Sequence, residues 1–322
     1  MTSEEALPLG EQESGSGNPE AIRPQPVTDL RSLLPYLEVI KPPSVALLTF
    51  TSVAAMIVAA RGGGTTAPVT VSAGLYLQAV AAIALAAAGT NAVTGYIDRD
   101  MDAVMERTKR RPIPAGRIYP PERALVWGLA LIIIGLVLGW LINPLSALCL
   151  LLGVLDDAVV YNLLTKRRSP LNIVLGGFSG GLPALFGWTA ITNSISLTPI
   201  LIAALVVLWI PNHIWNLAIA HTEDYKKVQV PMLPAVYSLR GTVRCIVSTV
   251  LLTYVFSVVL GLVGPFGWIY MGTALISGLI VSIGNIQLLL HPTRERAWSL
   301  FKISSPYLFL LFLAMIVDVL VV

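Results

Sequence analysis

Nine stretches of about 20 mostly apolar residues dominate this chain, near 43–60, 72–97, 124–142, 145–163, 171–191, 198–219, 243–263, 267–290 and 304–322. Each is long enough to cross the hydrocarbon core of a bilayer as a helix. The expected fold class is therefore an all-α polytopic membrane protein with nine transmembrane helices, occupying residues 35–322. Composition agrees, since 55% of the 322 residues are hydrophobic, only 12% are charged and the mean hydropathy is +0.77, values foreign to soluble domains. Residues 1–34 begin with a polar, acidic stretch rich in Gly, Pro and Ser. With neither an apolar core nor an Arg-rich face, they read as a disordered N-terminal tail, not a secretory signal or transit peptide.

Nine crossings put alternate connections on opposite sides, and the basic residues then choose the orientation. Twenty of the 21 Lys and Arg residues fall in the N-terminal segment and in the connections after spans two, four, six and eight; Arg61 alone falls on the other side. The positive-inside rule makes the crowded face cytoplasmic, with the N-terminus inside, the C-terminus outside and the cell membrane as the expected location. Cys149 and Cys245 lie in or near spans without metal-ligand spacing and read as reduced packing residues. No phosphate loop, zinc motif or nucleophile elbow is present, and the basic clusters lack the fold context of nucleic-acid binding.

Three polar constellations interrupt the apolar pattern. Asp98, Asp100 and Asp102 sit where the second span meets water, followed by the basic run RTKRR at 107–111. If the helix continues, Asp98 and Asp102 share one face, with Thr94 and Asn91 one and two turns behind, while Asp100 points elsewhere. Oxygen ligands at that spacing suit a hard cation such as Mg²⁺, which takes carboxylates, waters and substrate phosphates. The competing reading is a solvated loop whose opposite charges simply pair. Asp156 and Asp157 lie inside the fourth span, where ionisable groups are costly and default to a cavity or a partner. Asp157 and Tyr161 share a face at i,i+4, and the span emerges at Lys166 and Arg167. The competing reading there is a hydrogen bond to a neighbouring helix. The sixth span carries Pro211, Asn212, His213 and Asn216 before Glu223 and Asp224, and a Pro inside a span frees backbone carbonyls to face a polar cavity. All three constellations fall near the same ends of spans two, four and six, so one site can gather them. Its basic mouth, including Arg107, Lys109, Arg111, Lys166 and Arg167, suits an anionic head group, and its walls suit an apolar tail.

The blocks DRDMDAVMERTKRRP (98–112), YNLLTKRRSPLNIVLGG (161–177) and WIPNHIWNLA (209–218), followed by Asp224-Tyr225 and PMLP (231–234), resemble the UbiA superfamily of intramembrane prenyltransferases. The second and third blocks are similar to its haem-prenylating branch. The resemblance covers roughly 35–320 and implies a UbiA-type bundle. Two departures stand out. The Asn usual four residues before Asp98 is Thr94, with Asn91 a turn earlier, and the usual Pro-His pair reads Asn212-His213.

What the resemblance implies is transfer of a farnesyl group from farnesyl diphosphate to the 2-vinyl group of haem b, with capture of water to give haem O and diphosphate. Asp98, Asp102 and Asp224 would hold Mg²⁺ at the diphosphate. Arg107, Arg111, Lys166 and Arg167, with Asn91, Thr94, Asn172, Asn212 and Asn216, would bind phosphate, propionate or other polar substrate groups. Asp157 and Tyr161 would line the prenyl pocket near the cation, and His213 would contact the acceptor or order the capturing water. Two other readings stay open: a UbiA-type enzyme with a quinone precursor, chlorin or glycerol lipid as acceptor, and a transporter in which Asp157 and His213 carry protons or ions.

Overall fold

The computed structural model describes residues 30–62 and 68–321, so most of the expected tail lies outside the described residues; its last part, Leu30–Leu33, forms a 3₁₀ turn that leads into a short helix, Leu34–Val39. Nine helices among the described residues are long and apolar enough to span a membrane. They are α1 (Pro42–Ala60), α2 (Ala73–Ile97), α3 (Glu122–Ile142), α4 (Pro144–Thr165), α5 (Asn172–Thr192), α6 (Leu197–Ala220), α7 (Leu239–Val263), α8 (Trp268–Leu290) and α9 (Arg294–Val321). The chain is thus a multi-span membrane protein, with no strand among the described residues. Expected and observed boundaries differ most at α9, which starts at Arg294 where hydropathy places the span at 304. The helix there extends beyond its apolar stretch, and its first turns carry the charged residues of the preceding connection.

Local chemistry sets several of the ends. Ser72 Oγ accepts from Leu75 N–H at 3.2 Å and starts α2. Asn143 Oδ1 accepts from Ser146 N–H at 2.8 Å ahead of Pro144, so α3 turns into α4 through a single residue. Side-chain acceptors at N-caps and Pro in the first helical turn are the standard devices for this. A longer-range cap starts α8: Asp318, buried near the end of α9, accepts from Gly267 N–H at 2.6 Å and Tyr270 N–H at 3.1 Å.

Consecutive helices pack in sequence order and α9 returns to α1, closing a ring, while α5 lies innermost against α1, α4 and α6. Lipid supplies no hydrophobic force between helices, so close approach depends on small residues. A Cβ on Gly89 would stand 2.4 Å from the Gly128 carbonyl oxygen and one on Gly128 would stand 2.8 Å from that of Gly89, which brings α2 and α3 nearly backbone to backbone. Gly187 of α5 meets the Ser52 carbonyl of α1 in the same way, at 2.1 Å. The five helices α1, α2, α4, α5 and α6 leave a cavity between them.

Candidate active site

The cavity has a volume of about 390 Å³, within the usual range for small-molecule sites. Its polar end lies where α2 runs out. The helix stops at Ile97, and a short helix, Arg99–Val104, follows after Asp98. The turn is preserved across this break, because Asp102 N–H donates to the Asp98 carbonyl at 2.9 Å. Asp98 and Asp102 are therefore both buried, at 5% exposure each, and both face the cavity. Asp100 points away, and Arg167 clasps it from outside with two bonds of 2.7 and 2.6 Å. That pair holds the Asp100 carboxyl below its ordinary range.

Each inward aspartate has a cationic partner. Arg111 donates to Asp102 Oδ2 at 2.8 Å, and Lys166 Nζ contacts Asp98 Oδ2 while donating to Asn162 Oδ1 at 3.2 Å. Asp98 Oδ1 is buried without a hydrogen-bond partner among the described residues. Arg107 and Lys41 complete a rim of four cations facing the three cavity carboxylates Asp98, Asp102 and Asp157, a formal surplus of one positive charge. Deeper in, the lining turns apolar and ends at Leu48, Ile83, Leu150, Pro183 and Ile210. Asn91 and Thr94 line the cavity from α2, as expected.

The second half of α4, Asp156–Thr165, is wound as a π-helix. Asp157 and Tyr161 line the cavity from it, and Asn162 Nδ2 donates to the Asp157 carbonyl at 2.7 Å and Oδ1 at 3.4 Å. The Tyr161 ring lies against Gly176, where a Cβ would be 2.5 Å from the tyrosine Cβ. Asp156 faces elsewhere and accepts from Ser179 N–H at 2.7 Å, tying the start of the long part of α5 to α4.

Six residues expected at the site lie off the cavity wall, each for a visible reason. Arg167 is outside, held by Asp100. Asn172 is fully buried beneath the mouth, where it donates to the Lys166 carbonyl at 3.2 Å and fixes the turn that carries Lys166. Asn212 and Asn216 face α8: Asn216 Nδ2 donates to Asn212 Oδ1 at 2.9 Å and to Asn285 Oδ1 at 3.4 Å. His213 points at α9, stacked between Trp209 and Phe301 with its Nδ1 2.6 Å from Ser304 Oγ. The face of α6 on the cavity is the one with Ile210, Ile214 and Leu217. Asp224, buried in the short helix Thr222–Lys227, lies 4.0 Å from His221 Nδ1. Among the described residues no three His, Cys, Asp or Glu side chains are clustered to hold a metal, so Asp98, Asp102 and Asp224 form no preassembled triad.

Sequence reasoning missed Lys41, counted there only among the basic residues of the N-terminal segment. It occupies a left-handed position (φ 54°) just before Pro42 and lines the cavity mouth. Burial, reinforced by the nearby Arg111 and Lys166, pulls its ammonium down to about 8, against the pull of Asp157 and Asp98. A Lys immediately before the first span was the available signal. Tyr225 and Met232 also line the cavity, from the connection after α6.

Two buried carboxylates, one with an oxygen lacking a partner, form a donor set that fits a hard divalent cation. With the cationic rim they suit an ion shared with a phosphorylated substrate, and the apolar interior suits a hydrocarbon chain.

Comparison with known proteins agrees with this geometry. The model of the UbiA prenyltransferase family matches residues 47–315. The protoheme IX farnesyltransferase of Desulforudis audaxviator is 55% identical over 284 residues, 88% of each chain. That of Korarchaeum cryptofilum is 41% identical over 242 residues, 75% of this chain and 82% of its own. Among solved structures, a digeranylgeranylglyceryl phosphate synthase superposes with a TM-score of 0.75 at 20% identity, covering 91% of this chain and all of its own. A UbiA homolog from Archaeoglobus fulgidus bound to GPP and Mg²⁺ does so with 0.63 at 15% identity, covering 88% and 99%. At those identities the likeness is one of fold.

Proposed function

The chain belongs to the UbiA prenyltransferase family, and we propose that it transfers a farnesyl group from farnesyl diphosphate to the 2-vinyl group of haem b, with addition of water, giving haem O and diphosphate. The observation that carries this reading is one cavity with two buried aspartates and four cations at its mouth and an apolar interior behind them. Such a cavity takes the two halves of a prenyl diphosphate in the only order they fit.

Loss of the diphosphate sets free about three negative charges and leaves an allylic cation, so the site must stabilise the first and keep bulk water from the second. Asp98 and Asp102 would hold Mg²⁺, which when bound supplies Lewis-acid stabilisation of the leaving group. Arg111 and Lys166 are already placed beside those carboxylates and, with Arg107 and Lys41, offer charge-assisted hydrogen bonds to phosphate oxygens. Asp157 and Tyr161, deeper on the same wall, face the reacting end of the chain. Asn172 and Arg167 act indirectly, Asn172 by holding the turn of Lys166 and Arg167 by holding Asp100 away. His213 serves the packing of α6 on α9.

The concentration of basic residues at this end supports a mouth on the cytoplasmic side of the cell membrane, with the C-terminus outside. Incubation of the purified protein with Mg²⁺, haem b and farnesyl diphosphate should yield a porphyrin heavier by one hydroxyfarnesyl addition in the mass spectrum. An unchanged porphyrin together with prenylation of a quinone precursor would reassign the acceptor.

A further inference from the structure

The cavity wall contributed by α2 changes character along its length. Asp98, Thr94, Asn91 and Thr90 are polar; Ala87, Ala86 and Ile83 are not, and Ile83 is the last α2 residue on the lining. At the same depth α4 ends its contribution with Leu150 and Cys149. Ile83 and Leu150 are both 4% exposed and belong to one buried cluster with Met56, Ala82 and Phe186, which closes the space behind them.

We propose that Ile83 and Leu150 form a floor that sets the length of the prenyl chain, admitting farnesyl and excluding geranylgeranyl. The inference rests on the prenyl-transfer reading above and goes beyond it in naming what measures the chain. The head group takes the turn from Asp98 to Thr94, where the polar groups are. From Thr94 to Ile83 there are 11 residues of unbroken helix, or about 16 Å at about 1.5 Å per residue. Carbon–carbon bonds of about 1.5 Å in a zigzag advance roughly 1.3 Å each, so the farnesyl main chain extends to about 14 Å and the geranylgeranyl one to about 19 Å. The shorter chain ends within the apolar wall; the longer one overruns Ile83 by about 3 Å, more than half of an isoprene unit. Small side chains flank the floor, with Ala79 and Ala82 lying next along α2, so shortening Ile83 opens room in the direction the extra unit would take.

Binding affinities of geranyl, farnesyl and geranylgeranyl diphosphate, measured with Mg²⁺ on the detergent-purified protein, test the floor without needing the acceptor. Wild type should favour farnesyl over geranylgeranyl diphosphate, and Ile83→Ala should shift that ratio toward the longer chain by about tenfold or more, the scale at which pockets discriminate by hydrocarbon bulk. Ala87→Phe, which blocks the channel one turn nearer the mouth, should shift the preference the other way, toward geranyl. Equal wild-type affinity for all three, or a farnesyl preference that neither variant moves, overturns the floor. Binding graded as expected without any prenylated porphyrin would leave the floor standing and remove haem as acceptor. Failure of all three diphosphates to bind would end both readings.

Discussion

Lys166 and Asp98 are held together at the head of the cavity with side-chain exposures of only 15% and 7%, and a double-mutant cycle on them separates structural from chemical roles. Removing one partner of a buried ion pair typically costs about 3–5 kcal/mol, because the other charge stays behind. A cavity mouth admits some water, so about 2–3 kcal/mol is the expected scale for Lys166→Met, which strips Asp98 of its cation when Asp98 Oδ1 already has no partner. Asp98→Asn should cost less, since Lys166 keeps the Asn162 Oδ1 acceptor at 3.2 Å. The double variant carries neither charge and should recover most of the loss. Thermal unfolding in detergent with a chelator reads this directly: Lys166→Met should lower the midpoint by roughly 5–10 °C, Asp98→Asn by less, and the double variant should approach wild type. Pyrophosphate release should behave differently. All three variants should lose about a thousandfold or more, equivalent to about 4 kcal/mol of transition-state stabilisation, because the double variant restores the fold but not the groups facing the diphosphate. Additive destabilisation in the double variant, or turnover that recovers with stability, would refute the assignment.

Three further outcomes follow from the same geometry. Lys41, pulled down to about 8, carries its charge in full below that value and loses it above, so the KM for farnesyl diphosphate should rise between pH 7 and 9.5; Lys41→Arg, which stays charged, should flatten that rise, and an identical profile would remove Lys41 from anion binding. Arg167→Ala breaks an exposed pair whose side chains are 41% and 61% accessible, so stability should change by less than about 1 kcal/mol and turnover by less than threefold; a tenfold loss would return Arg167 to the site. Asp318→Ala removes the acceptor for two N–H groups at the start of α8, one buried and one half-buried, and should cost about 2–3 kcal/mol in thermal unfolding, with turnover per folded molecule unchanged.

The spans were legible because bilayer thickness and hydropathy together fix them, and the loop charges follow from the same pattern. Individual faces within a span were less legible. His213 and Asn216 look like site residues in a string of letters, since polar groups inside lipid invite function. Their partners, Ser304 and Asn285, sit about 90 and 70 positions away on other helices, and no spacing in the sequence links them. Asp98 and Asp102 were readable because the chain keeps one turn of register across the break at Asp98, which hydrogen bonding preserves and sequence spacing already encodes.

Lys166 shows where an α-helical reading falls short. Asp157 and Lys166 are nine residues apart, and at about 100° per residue an α-helix would put them on opposite faces. The expectation that both serve one cavity is then inconsistent with its own geometry. The π-winding of 156–165 removes the conflict: Thr165 Oγ donates to Val160 O at 2.8 Å, and Lys166 N–H reaches five residues back to Tyr161 O at 2.8 Å. With i→i+5 bonding a turn holds roughly 4.4 residues, so nine residues come to about two full turns and Lys166 returns to the face of Asp157. That places its ammonium on Asp98, across from α2. π-Turns are uncommon and concentrate at functional sites. Here the wider turn is what lets one helix carry both a residue deep in the cavity and the cation at its mouth. A deletion of one residue between Asp157 and Lys166 that restored α-helical winding would swing Lys166 off the site, and the Asp98 carboxylate would lose its partner without any change to either side chain.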